Sequence, residues 1–289
     1  MNHPPYHLRP NKAVDRFLLV DVLDRLRECH DLSGYTYYGF GGPLLEDCRL
    51  LGFYFPEIRL VSFEKDAQTY KRQLFHKCAK NVDLKNCTMA DSFSDLDIKG
   101  QEIFWLDYTN LSIAGFEEFM RVLQEGDQGT IVKITLRAQR DDNPNLRSNR
   151  QFIGDGDLEN ALEKFKYNFM QEFDKVIPPP LEDDLLLPRR FPELVQDMVQ
   201  IAAEKCLPAR GGTVFLPLHS AYYSDATWML SVTGIIYDRS QTRQIRECFK
   251  GWKFANLGWN PPHRIDVPIL SLKERFRLEQ CLPDTGNAL

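Results

Sequence analysis

Tyr35-Thr36-Tyr37-Tyr38-Gly39-Phe40-Gly41-Gly42-Pro43 is a run of aromatics and Thr that ends abruptly in three glycines and a proline. Tyr and Thr pack well on a pleated surface, so residues 35–38 read as a β-strand. Gly39, Gly41 and Gly42 then remove side chains where the backbone must turn sharply or approach a ligand. Pro43 is placed to open a helix, because its fixed φ suits a first helical turn. Leu44, Leu45, Cys48, Leu51 and Gly52 follow at helical spacing. Strand, glycine turn and helix is the layout of a nucleotide-type cofactor site at the first crossover of a parallel sheet. An ordinary tight turn would share this local pattern, so the decision rests on what surrounds it.

Upstream, Val14, Phe17, Leu18, Val22, Leu23 and Leu26 recur at helical spacing, which predicts an amphipathic helix over 13–29 lying against the sheet. Downstream, Ile58-Arg-Leu-Val-Ser-Phe63 makes a short buried strand that ends at Glu64, 25 residues past Gly39. A carboxylate at about that distance holds ribose hydroxyls in dinucleotide-type folds. Residues 67–80 read as a helix with Tyr70, Leu74 and Phe75 inward. Cys87 to Phe93 reads as a weak third strand carrying Asp91. Ile103-Phe-Trp-Leu-Asp107-Tyr108-Thr109-Asn110 is a clearer fourth strand, again with an acid at its carboxyl end. A helix over 113–124 and a branched fifth strand over 129–137 complete the alternation.

The rhythm stops at 138–157, a polar loop with Arg140, Arg147 and Arg150; loops of that length are usually functional or disordered. Helices are expected over 158–176 and 193–206. Thr213–Ser220 and Trp228–Tyr237 are two strands too close together for a helical crossover, so they pair antiparallel. The reading is one domain over 1–289, with its core in 13–137 and 213–238, a loop and helical insert over 138–212, and a C-terminal extension over 239–289.

Length and composition agree. The 289 residues can bury a sizeable core, and 43% hydrophobic with 27% charged residues is ordinary for a soluble globular chain. A net charge of −5 gives no support for broad nucleic-acid binding. Seven scattered cysteines contain no CxxC pair, which predicts reduced thiols without a metal or disulfide framework and a cytoplasmic location. No apolar run approaches the roughly 20 residues that span a bilayer.

Five βα-type units with a glycine turn after the first strand, followed by a six–seven hairpin, resemble the class I S-adenosylmethionine-dependent methyltransferases. The stretch Ile103–Asn110 is similar to that of O-methyltransferase-type proteins of this superfamily. The resemblance implies a doubly wound, mostly parallel Rossmann-like α/β sheet and S-adenosylmethionine as cofactor. It implies that Gly39, Gly41 and Gly42 lie against that cofactor, that Glu64 binds its ribose and that Asp91 contacts adenine. Asp107, with Tyr108 and Asn110, falls on the fourth motif at the mouth of the methyl-transfer site. The family's first motif, [DE]-x-G-x-G, has an acid where this chain has Tyr37. The fourth motif lacks the two prolines of amino-methyltransferases, which speaks against an adenine or cytosine amino group as acceptor. The fifth strand ends in Arg137, where catechol-type enzymes carry a metal-binding acid, so no metal is expected.

Asp107 is suited to orient or deprotonate an acceptor as a general base, with Tyr108 beside it. Lys12, Asn110, Arg140, His219 and Tyr222 are the candidate acceptor-side residues. His3, His7 and Arg9 join Lys12 in a polar amino-terminal segment that could fold over the mouth. The bland alternatives are concrete: acids after strands often cap helices, and polar loops are often only solvated. Two other functions stay open at this point. One is a cofactor- or nucleotide-binding regulatory protein with a degenerate methyltransferase pocket. The other is an enzyme acting on a nucleotide or nucleic-acid base, with the arginine loop on phosphate.

Overall fold

The computed structural model describes residues 9–77, 79–96, 98–140, 155–207, 211–268 and 270–281. Helix α1 (Pro10–Leu26) comes first. Then follow β1 (Thr36–Gly39), α2 (Glu46–Tyr54), β2 (Arg59–Phe63), α3 (Ala67–His76), β3 (Val82–Lys85) and the single turn α4 (Met89–Ser92). β4 (Glu102–Asp107), α5 (Ile113–Glu125) and β5 (Ile131–Arg137) end the alternation, and α6 (Asp155–Glu172) and α7 (Phe191–Cys206) form the insert. A long hairpin of β6 (Thr213–Ser224) and β7 (Trp228–Asp238) precedes α8 (Thr242–Cys248), the two-residue β8 (His263–Arg264) and α9 (Leu272–Gln280).

Among the described residues, eight strands share one sheet in the order β3-β2-β1-β4-β5-β7-β6-β8. β1 to β5 are parallel, whereas β7 is antiparallel to both of its neighbours, β5 and β6. The chain steps outward from β1 to β3 and then returns to lay β4 on the other side of β1. β1 and β4 therefore flank the topological switch point, where open α/β sheets hold ligands beyond the carboxyl ends of their strands. The architecture is the expected one: a mostly parallel Rossmann-like sheet, an antiparallel six–seven hairpin and a helical insert.

Side chains alternate across a strand, and β4 shows the result. Phe104 and Leu106 enter the core shared with α5, α6 and α7, while Ile103 and Trp105 enter the core beneath α1 and α2. Burial on both faces explains why Ile103–Leu106 reads as a continuous apolar run. In α7, Leu194, Val195, Met198, Val199 and Ala202 are fully buried and pack against α5 and the hairpin. Gly42 to Leu45 form a turn, and α2 starts only at Glu46, with Leu45 left-handed at φ 53°. Pro43 thus lies in the turn and does not open the helix.

Several further boundaries differ from the reading. Cys87–Phe93 is not a strand. Thr88 and Asp91 form a reciprocal capping box, in which each side chain accepts the other's backbone N–H, and this winds Met89–Ser92 into a helical turn. The third strand is instead Val82-Asp-Leu-Lys85, an edge strand whose polar composition conceals it. α3 stops at His76, and it turns Gln73 inward while Leu74 and Phe75 are 51% and 85% exposed. Phe17 of α1 also faces outward. Cys29 and Cys248 are joined as a disulfide between the segment after α1 and the end of α8, so this pair departs from the expectation of free thiols. Among the described residues, no helix is long and apolar enough to cross a membrane.

Candidate functional site

The loop after β1 is shaped by what lies beneath it. Gly41 and Gly42 adopt left-handed φ values of 46° and 57°, which glycine alone enters without cost. A Cβ on Gly39 would overlap the Tyr37 phenol, and one on Gly41 would come within 2.5 Å of Ser62 Oγ. The glycines therefore let the loop settle onto two buried hydroxyls. From α3, Gln73 Nε2 donates to the Gly42 carbonyl at 3.0 Å. Six buried side-chain polar atoms of the described residues lack a hydrogen-bond partner, and Tyr37 Oη, Ser62 Oγ and Gln73 Oε1 are three of them. Buried polar atoms are nearly always satisfied, and three that are not gather around this one loop.

Beside the loop, α1 presents a polar stripe to the sheet. Lys12 pairs with Asp107 at the end of β4, Asp15 with Lys133 in β5, and Arg16 with Asp47 in the first turn of α2. The Lys133–Asp15 contact is 2.7 Å with both side chains fully buried, and Arg16 Nε donates to Asp47 at 2.5 Å. Burial by itself would push the Asp15 carboxyl up, but Lys133 and the hydroxyl of Ser231 override it and hold it below its usual value. Tyr223 also donates to Asp15, at 3.3 Å, and the Lys133 ammonium lies over the Trp105 ring. The turn between β6 and β7 anchors the start of α1. Asp225 accepts from the backbone N–H of Asn11 at 3.1 Å and of Lys12 at 2.9 Å, which supplies the cap that Arg9 does not.

The other candidates are placed less directly. Glu64, half-buried at the end of β2, accepts from the Asp66 N–H at 2.8 Å, and Asp66 in turn caps α3. Asp91 is exposed in its capping box, which holds its carboxyl below the ordinary range. Tyr108 donates to Glu118 of α5, and burial together with that carboxylate pushes the phenol far up, so it stays protonated. Asn110 is exposed. Arg140 donates to the Leu186 carbonyl at 3.1 Å and lies over the Phe165 ring, which ties it to the insert. His219 is fully buried, with Nδ1 against the Phe254 carbonyl at 2.7 Å, and burial lowers its pKa to about 4. Tyr222 pairs with Trp228 at 5.6 Å between ring centres. His3, His7, Arg147 and Arg150 lie outside the described residues.

A family model described as "Putative O-methyltransferase" matches residues 4–288. The chain belongs to that methyltransferase family. Comparison with curated proteins returned no match. The chain is also similar to solved structures at low identity. The O-methyltransferase TomG from Streptomyces achromogenes, in complex with SAM, is 14% identical over 76% of this chain and 78% of its own, with a TM-score of 0.39. The plantazolicin methyltransferase BpumL, in complex with SAH, is 9% identical over 76% and 84% of the two chains, with a TM-score of 0.43.

The sequence singles out Lys12 of the α1 stripe but not Asp15, Arg16, Lys133 or Gln73. The signal for α1 is that Asn11 and Asp15 fall on the same face as Leu18 and Val22 of the apolar stripe. Lys133 interrupts an otherwise branched strand, Ile131-Val-Lys-Ile-Thr-Leu136, and a lone cation in such a run demands a buried partner.

Proposed function

We propose that this chain transfers a methyl group from S-adenosylmethionine to an oxygen-type acceptor at the carboxyl edge of β1, β2 and β4. The observation that carries the reading is the glycine loop at the β1–β4 switch point, ringed by the orphaned Tyr37 Oη, Ser62 Oγ and Gln73 Oε1. When bound, S-adenosylmethionine supplies an electrophilic methyl group on a sulfonium. Gly39, Gly41 and Gly42 give its chain a close backbone approach, Glu64 accepts from the ribose hydroxyls, and Asp91 borders the adenine. Asp107 orients the acceptor and takes its proton; Tyr108, held by Glu118, shapes the wall beside it. The ammonium of Lys12, already on Asp107, keeps the local charge balanced as the acceptor oxygen gives its proton to that carboxylate. In this reading Asn110 and Tyr222 stand on the acceptor side, while Arg140 is engaged with the Leu186 carbonyl and His219 with the Phe254 carbonyl.

Asp107→Asn keeps shape while removing the charge and the ability to take a proton. Product formation across an acceptor panel should fall by about 10²–10⁴-fold, with cofactor binding, measured in parallel, retained. Full activity in the variant would remove Asp107 from the chemistry. A wild type that binds the cofactor and methylates nothing would make the chain a cofactor-binding regulator.

A further inference from the structure

The methyltransferase pattern places an acid two residues before the first glycine, and this chain has Tyr37 there. The cofactor carries a zwitterionic amino-acid end, whose ammonium would otherwise lose its counter-charge. Three features converge at that place. Asp47 stands in the first turn of α2, into which the glycine loop leads, and it is 6% exposed. Arg16 meets it from α1 at 7% exposure, with Nε on Asp47 at 2.5 Å. The Tyr37 hydroxyl lies beneath Gly39 without a partner, in the fields of Asp47 and Arg16. Burial pushes that phenol well above its ordinary pKa, so it remains a donor.

A structural ion pair accounts poorly for this arrangement. Desolvating two charges is costly, and apolar residues would hold α1 to α2 as well. The orphaned Tyr37 hydroxyl beneath Gly39 adds a further cost unless something accepts from it. A carboxylate can take up to about four hydrogen bonds, so Asp47 can accept a second donor without leaving Arg16.

We infer that Arg16, Asp47 and Tyr37 together form the subsite for the amino-acid end of the cofactor and replace the acid missing from the first motif. Asp47 receives the α-ammonium, Arg16 receives the α-carboxylate, and the Tyr37 hydroxyl donates to that carboxylate. This inference rests on the S-adenosylmethionine reading above.

The test compares calorimetric affinities for two ligands, S-adenosylhomocysteine and 5′-methylthioadenosine, which lacks the amino-acid end. Asp47→Asn and Arg16→Gln should weaken S-adenosylhomocysteine on the order of ten- to a hundredfold and leave 5′-methylthioadenosine unchanged, the usual loss for a hydrogen bond to a charged group. Breaking a buried pair can unfold a chain, so Tyr37→Phe provides the decisive variant. It removes a hydroxyl with no partner, and should weaken S-adenosylhomocysteine selectively while the ligand-free melting temperature holds or rises. A Tyr37→Phe protein with the wild-type ratio of the two affinities would overturn the inference and leave the methyltransferase reading standing. A wild type that binds neither ligand overturns that reading itself, and the inference with it.

Discussion

At the scale of single residues, Glu64, Asp107 and His219 separate site chemistry from packing. Glu64 already accepts from the Asp66 N–H, a contact any turn-forming acid could make. If its second duty is the ribose, Glu64→Ala should weaken S-adenosylhomocysteine by about 1.5–3 kcal/mol in a titration, with little change in stability. Unchanged affinity in the folded variant would confine Glu64 to the turn. His219 makes the opposite kind of prediction. Its folded pKa of about 4 lies below the ordinary 6.5, so the unfolded chain binds the extra proton first. Stability is therefore complete above pH 6.5 and declines as pH falls toward 4, by on the order of 3 kcal/mol for this group. His219→Asn, whose amide can still donate to Phe254, should flatten that part of a melting-temperature profile. An unaltered profile would assign the acid sensitivity to other groups. The exposure of Asn110 and the burial of His219 were both illegible, because each depends on neighbours far away in sequence.

At the scale of elements, α1 is the member whose role least resembles its sequence. Its apolar residues read as a helix lying on a sheet, and it is one. The three ion pairs to β4, β5 and α2 were hidden because each joins residues far apart in the chain. Lys133→Met alone strands Asp15 as a buried charge, and denaturant melts should show a loss of about 3–5 kcal/mol. Adding Asp15→Asn should restore much of it; additive losses would show that the two residues act separately. Asp225→Ala removes the distant cap from α1 and should cost about 1 kcal/mol in the same assay. A null result there would mean that water serves those N–H groups equally well. The misread third strand has a comparable cause. Cys87–Phe93 has strand-like residues, but the Thr88–Asp91 capping box decides its conformation, while the real strand at the sheet edge needs little apolar surface.

For the whole molecule, the doubly wound layout was legible because buried parallel strands must be apolar and turns must be permissive. Glu102–Asp107 and Ile131–Arg137 carry the first signal, and Gly39–Gly42 the second. The hairpin could be read as antiparallel from its short connection, yet nothing local says that β7, not β6, lies against β5. The central claim is that the loop after β1 is a cofactor cradle whose ribose anchor is Glu64. A crystal structure grown with S-adenosylhomocysteine tests it most directly. The ligand should lie over Gly39–Gly42, with its ribose hydroxyls on Glu64 and its sulfur facing the Lys12–Asp107 pair. Ligand bound away from the carboxyl ends of β1, β2 and β4, or a site left empty at saturating ligand, would contradict it.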